Sequence, residues 1–101
     1  MSVRDQIEAL LRESLQPSHL DVIDDSAAHA GHAGSRPGGE THFSVEVVAE
    51  VFRGEGRLAR QRRVTDALRA LLAGPVHALS IRALTPEEWA ARRAASPGDR
   101  A

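Results

Sequence analysis

Thr41-His42-Phe43-Ser44-Val45-Glu46-Val47-Val48-Ala49-Glu50-Val51-Phe52 is the stretch that decides the fold. Phe43, Val45, Val47, Ala49 and Val51 alternate with His42, Ser44, Glu46, Val48 and Glu50. A period of two is the signature of a strand with one covered face. One set is wholly apolar and the other mostly polar, so the sheet it belongs to is expected to pack helices against one side. Arg53-Gly54-Glu55-Gly56 then breaks the strand.

On the C-terminal side, Leu58 to Leu72 reads as a helix, with Val64, Leu68, Leu71 and Leu72 on one face and Gly74-Pro75 as its stop. A one-turn helix is expected around Leu58. Val76 to Leu84 reads as a third strand. Thr85-Pro86-Glu87-Glu88 is a helix start: Thr85 caps, Pro86 takes the first position, and Glu88 closes a capping box. Trp89 is expected to pack that last helix onto the body.

On the N-terminal side, Val3, Ile7, Leu10, Leu11 and Leu15 recur at helical spacing, with Ser2 as cap, Asp5 in the first turn and Pro17 as terminator. Leu20, Val22 and Ile23 read as a short strand. Ala27 to Gly39 holds four glycines, a proline and two histidines, and suits neither helix nor strand. From Ser26 to Glu40 this loop spans fifteen residues, a length that is uncommon in a compact domain and often functional. The order is therefore α-β-β-α-α-β-α, an α/β (α+β) fold. The loop-joined strands pair antiparallel, and the helix-bearing crossover makes the next pair parallel. The expectation is one domain over residues 1–93, with a three-stranded mixed sheet and helices on one side, and a flexible tail over 94–101.

Composition narrows the chemistry. The 101 residues carry a net charge of −1, which gives no general attraction to nucleic acid or to anionic membrane. Aromatic residues are 3%, so the core is aliphatic. There is no cysteine, which removes disulfides, thiol catalysis and self-contained thiolate metal sites. No stretch is long enough to span a bilayer, and a cytoplasmic protein is the expectation. No Ser-His-Asp spacing or phosphate-cradling loop is present, so no enzyme is expected.

Two constellations remain. His29 and His32 lie in the long loop among small residues, and His77 opens the third strand. They read either as ligands or as ordinary solvated and hydrogen-bonded residues. His19 reads as a surface turn residue and His42 as structural. Arg53, Arg57, Arg60, Arg62 and Arg63 gather around the start of the long helix. They read as a solvated face, or as a phosphate or acidic-partner contact.

Several segments match one family in order: Asp24-Asp25-Ser26, His29, Gly39-Glu40-Thr41-His42-Phe43, Phe52-Arg53-Gly54, Arg60-Gln61-Arg62, Val76-His77-Ala78-Leu79-Ser80 and Thr85-Pro86-Glu87-Glu88-Trp89. Together they resemble the BolA family over nearly the whole chain. The resemblance implies a fold similar to a type II KH domain. It implies a non-enzymatic adaptor that pairs with a monothiol glutaredoxin, shares a 2Fe–2S cluster, and acts in iron–sulfur trafficking and iron homeostasis. Carried over by position, the ligands are His77 and His29, with His32 as the alternative loop ligand. The glutaredoxin cysteine and glutathione supply the rest. The isolated monomeric chain is then expected to hold no cofactor.

Imidazole can replace thiolate at one iron of such a cluster. It ligates only when neutral, so capture should weaken as pH falls through the histidine range. Some family members are described as transcriptional regulators of stress and morphology genes. The alternative is thus a KH-like nucleic-acid-binding regulator, with DNA contacted by Arg57, Arg60, Arg62 and Arg63. Against it, Gly54-Glu55-Gly56-Arg57 is not the GXXG of a KH clamp. Where members often carry a histidine between two arginines and a nearby tyrosine, this chain has Gln61 and Thr65.

Overall fold

The structure is a computed structural model, and it describes residues 2–25 and 42–95. The elements are α1 (Val3–Leu15), β1 (His19–Asp24), β2 (His42–Val48), a 3-10 turn (Glu50–Phe52), α2 (Arg57–Ala67), α3 (Arg69–Leu72), β3 (Ala78–Leu84) and α4 (Pro86–Ala95). The strand order is β1-β2-β3, with β1 antiparallel and β3 parallel to the central β2. This is the mixed sheet expected from the sequence.

The first and last helices start where side chains cap them. The Ser2 hydroxyl accepts the Asp5 amide at 3.0 Å, and Ile7, Leu11 and Leu15 fall on the buried face of α1. Gln16 closes α1 in the left-handed region, with φ 49° and its amide on the Arg12 carbonyl. Pro17 follows and cannot extend the helix. At α4 the capping box forms as read. The Thr85 hydroxyl accepts the Glu88 amide at 3.1 Å, and the Glu88 carboxylate accepts the Thr85 amide at 2.9 Å.

The inner sheet face carries Leu20 and Val22, Phe43, Val45 and Val47, and Leu79, Ile81 and Ala83. These meet Ile7 and Leu11 of α1, Val64 of α2, and Leu68. Several details differ from the sequence reading. First, β2 ends at Val48, and the chain turns through a 3-10 helix instead of continuing to Phe52. At three residues per turn the apolar parity no longer holds, so Phe52 is fully buried while Val51 is only partly so. This single turn takes the place of the one expected around Leu58, which lies exposed in α2. Second, the long helix divides at Leu68. Its amide is shared between the Val64 and Thr65 carbonyls. Third, β3 starts at Ala78, two residues after the expected Val76. α4 runs to Ala95, two residues into the expected tail.

Helices do not all lie on one side of the sheet. His19, Asp21, Ser44, Glu46, Val48, Ser80, Arg82 and Leu84 share the opposite face by register. There the Trp89 ring of α4 stacks on His19, with centroids 4.4 Å apart and planes 19° from parallel. Val48, between His19 and Leu84 in the register, is fully buried despite its outward parity. His19 is thus a packing residue of β1, with Nε2 3.2 Å from Glu46 Oε1. It is not the surface turn residue that Pro17-Ser18 suggested.

Both rims of the sheet meet an arginine. Arg4 of α1 donates to the Val22 carbonyl of β1 at 2.9 Å, and Arg60 of α2 donates to the Ala83 carbonyl of β3 at 3.1 Å.

Candidate functional site

One end of the sheet carries His77, the described member of the residues singled out for ligation. β1 finishes at Asp24 opposite Phe43, and His42 opens β2 opposite Ala78. The chain leaves the sheet at Asp25 and re-enters it at His42, beside the start of β3. Asp25 is held there by the Ser44 hydroxyl, which donates to its carboxylate. His77 precedes Ala78 by one residue, outside the strand and exposed. His42 is half-buried at the same end. His29 and His32 lie outside the described residues. Among the described residues no group of three or more His, Cys, Asp or Glu is placed to hold a metal ion.

The arginine cluster sits at the other end, and much of it is already engaged. Arg60 is its hub. Its guanidinium donates to the Glu55 carbonyl at 2.8 Å, to the Ala83 carbonyl, and to both Glu88 oxygens at 2.6 and 3.2 Å. It also lies 6.0 Å from the Phe52 ring centroid. The Arg60 contact, helped by the Thr85 amide, holds the Glu88 carboxyl down to about 2. Arg63 bonds Glu55 at 2.7 Å and holds that carboxyl below the usual range. Arg53 bridges Glu87 and Glu50, and lowers Glu87 in the same way. Each guanidinium is in turn raised by its carboxylate partner.

Of the residues read as a possible nucleic-acid contact, Arg60 and Arg63 are therefore committed within the fold. Arg57 and Arg62 are exposed. Sequence reasoning assigned Glu87 and Glu88 to capping alone and missed that they also neutralise arginines some thirty residues away. Arg82 and Arg92 were likewise passed over, though both face the cleft between α2, β3 and α4. A charge count along the chain finds these groups; only the fold pairs them.

The sequence profile of the BolA-like protein family matches residues 11–88. The chain belongs to the BolA-like family. It is 48% identical over 83 residues to BolA-like protein 1 of Mus musculus, covering 82% of this chain and 58% of that one. It is 40% identical over 89 residues to the DNA-binding transcriptional regulator BolA of Escherichia coli, covering 88% and 81%. Among solved structures it resembles the BolA domain of SufE1 from Arabidopsis thaliana. That match has a TM-score of 0.76 and 40% identity, and it covers 87% of this chain and 96% of that one. The BolA-like match thus spans about three fifths of the length of the mammalian relatives. The mammalian relatives are named BolA-like proteins and the bacterial one a regulator. Among the described residues no helix is long and apolar enough to cross a membrane.

Proposed function

We propose that this BolA-like chain is an adaptor that pairs with a monothiol glutaredoxin and shares a 2Fe–2S cluster with it. The observation that carries the reading is the placement of His77. Its exposed imidazole stands at the sheet end where the chain departs at Asp25 and returns at His42. His29 is four residues beyond Asp25, a tether of about 14 Å at full extension.

The donor set fits a shared cluster and not a self-contained one. A chain without cysteine offers only imidazole and carboxylate, and no metal-holding trio occurs among the described residues. His77 would supply one ligand and His29 or His32 a second. The partner's thiolate and glutathione would complete the four. When bound, the cluster supplies electron-transfer and iron-donor chemistry. This chain's part would be to offer imidazole ligands, His77 among them, to the shared cluster. A place in iron–sulfur trafficking and iron homeostasis follows from that role.

The test is to mix the protein with cluster-loaded monothiol glutaredoxin and record visible absorption and circular dichroism. The wild-type mixture should show a spectrum distinct from the glutaredoxin alone. His77→Ala should lose it, and separate His29→Ala and His32→Ala variants should identify the loop ligand. An unchanged heterocomplex spectrum in His77→Ala overturns the reading.

A second reading, contact with DNA as a transcriptional regulator, is favoured by the printed name of the Escherichia coli relative. Of the four arginines read as a DNA contact, Arg57 and Arg62 are the exposed ones not committed to a carboxylate among the described residues. With so few free phosphate contacts, affinity should fall only about tenfold or less between 50 and 200 mM salt. Gel shifts with duplex DNA across that range check this, and no shift at 50 mM sinks the reading.

A further inference from the structure

The end of β3 remote from His77 carries a feature that cluster sharing does not use. A groove of about 620 Å³ runs along Ile81 to Leu84 between the start of α2 and the body of α4. Its floor is the rim of the sheet, because among the described residues β3 pairs with no strand other than β2.

Register shows which backbone groups face the groove. The Leu84 carbonyl accepts the Ala49 amide, so Leu84 points its peptide groups at β2. In a parallel pair one residue uses both its N–H and its C=O toward the same neighbour, and the next residue faces away. Arg82 therefore pairs inward with Leu84, and Ile81 and Ala83 face the groove. Arg60 occupies the Ala83 carbonyl. This leaves the Ile81 amide, the Ile81 carbonyl and the Ala83 amide as a strand-pairing set.

Charge defines what would bind. Two carboxylates line the groove, and both are paired: Glu55 with Arg63, and Glu88 with Arg60. Arg57 and Arg92, one on each wall, are exposed and have no carboxylate partner among the described residues. Arg82 keeps only a 3.4 Å contact with Glu46.

We propose that this groove receives an extended acidic segment of a partner protein, which adds to β3 as a fourth strand. Main-chain hydrogen bonds to Ile81 and Ala83 supply affinity, and Arg57, Arg82 and Arg92 select carboxylate side chains. Strand addition of this kind takes specificity from alternate side chains. The arginine on the Ala83 carbonyl limits the added strand to a short one. The site lies at the far end of β3 from His77, so its occupancy does not depend on the cluster reading.

The test uses the full chain and a fluorescein-labelled peptide of alternating glutamate and valine, eight residues long. The comparison probes are its lysine-valine counterpart and an oligo-dT of similar length. Anisotropy should show saturable binding of the acidic peptide only. The double variant Arg57→Glu, Arg92→Glu should weaken it at least tenfold. Amide exchange read by NMR should slow at Ile81 and Ala83 on peptide addition, while Arg82 and Leu84, already paired, should not change. Three results would each overturn the proposal: no binding at millimolar peptide, binding without protection of Ile81, and tighter binding of oligo-dT than of peptide. So would concentration-dependent self-association that protects the same amides without peptide.

Discussion

Phe52→Ala should lower the stability of the fold by about 3–5 kcal/mol, the range for emptying a buried aromatic site. Phe52 is fully buried in the 3-10 turn that follows β2. With Phe43 it is one of only two phenylalanines in an otherwise aliphatic core. A domain of this size has about 5–15 kcal/mol in all, so the variant should sit near its unfolding threshold at 37 °C. Urea denaturation followed by far-ultraviolet circular dichroism measures the shift. Phe52→Leu should cost less, because most of the volume is kept. A loss under about 1 kcal/mol for the alanine variant would mean that the turn is not part of the core.

Arg60→Ala is expected to cost about 2–3 kcal/mol, because several charge-assisted hydrogen bonds and a largely buried stem are lost together. Its signature is the pH dependence. Glu55, Glu87 and Glu88 each have a folded carboxyl below its ordinary value, and in each the arginine contact is the largest cause. A carboxyl lowered in the folded state adds stability that is complete above its unfolded value, near 4.5. That stability is lost as pH falls, for Glu88 down to about 2. Arg60→Ala removes the main cause of the Glu88 shift but leaves the Thr85 amide in place. The fall in urea midpoint between pH 5 and 2.5 should therefore be shallower in the variant than in the wild type. An equally steep fall would show that the Arg60–Glu88 contact is absent in solution.

Much of this architecture was legible because local rules and tertiary packing agree. Phe43, Val45 and Val47 alternate and are all buried, Ser2 caps α1, and Thr85 and Glu88 form the capping box. The reading failed where packing overrides parity. Val48 has a polar position in the pattern, yet Trp89 and His19 build a second small apolar contact on that face. Ala49 and Val51 continue the alternation, but the strand has already ended at Val48.

The candidate site divides in the same way. His77 and the arginines could be named from the sequence, because ligating and charged residues can be counted. That His77 stands beside the exit and return of the long loop comes from the pairing of His42 with Ala78. That Arg60 is a hub comes from the crossover that brings α2 against β3 and α4. His29 and His32 rest on the sequence reading, since they lie outside the described residues.

The guanidinium groups at the two rims bear on how the molecule behaves in a crowded solution. A three-stranded sheet has two open borders, and each is a template on which identical molecules can stack into fibrils. Here Arg4 sits on the Val22 carbonyl and Arg60 on the Ala83 carbonyl. A second copy approaching border to border would have to dislodge a positive charge and meet another. The same contact that shortens the proposed guest strand thus works against stacking of whole sheets on that rim.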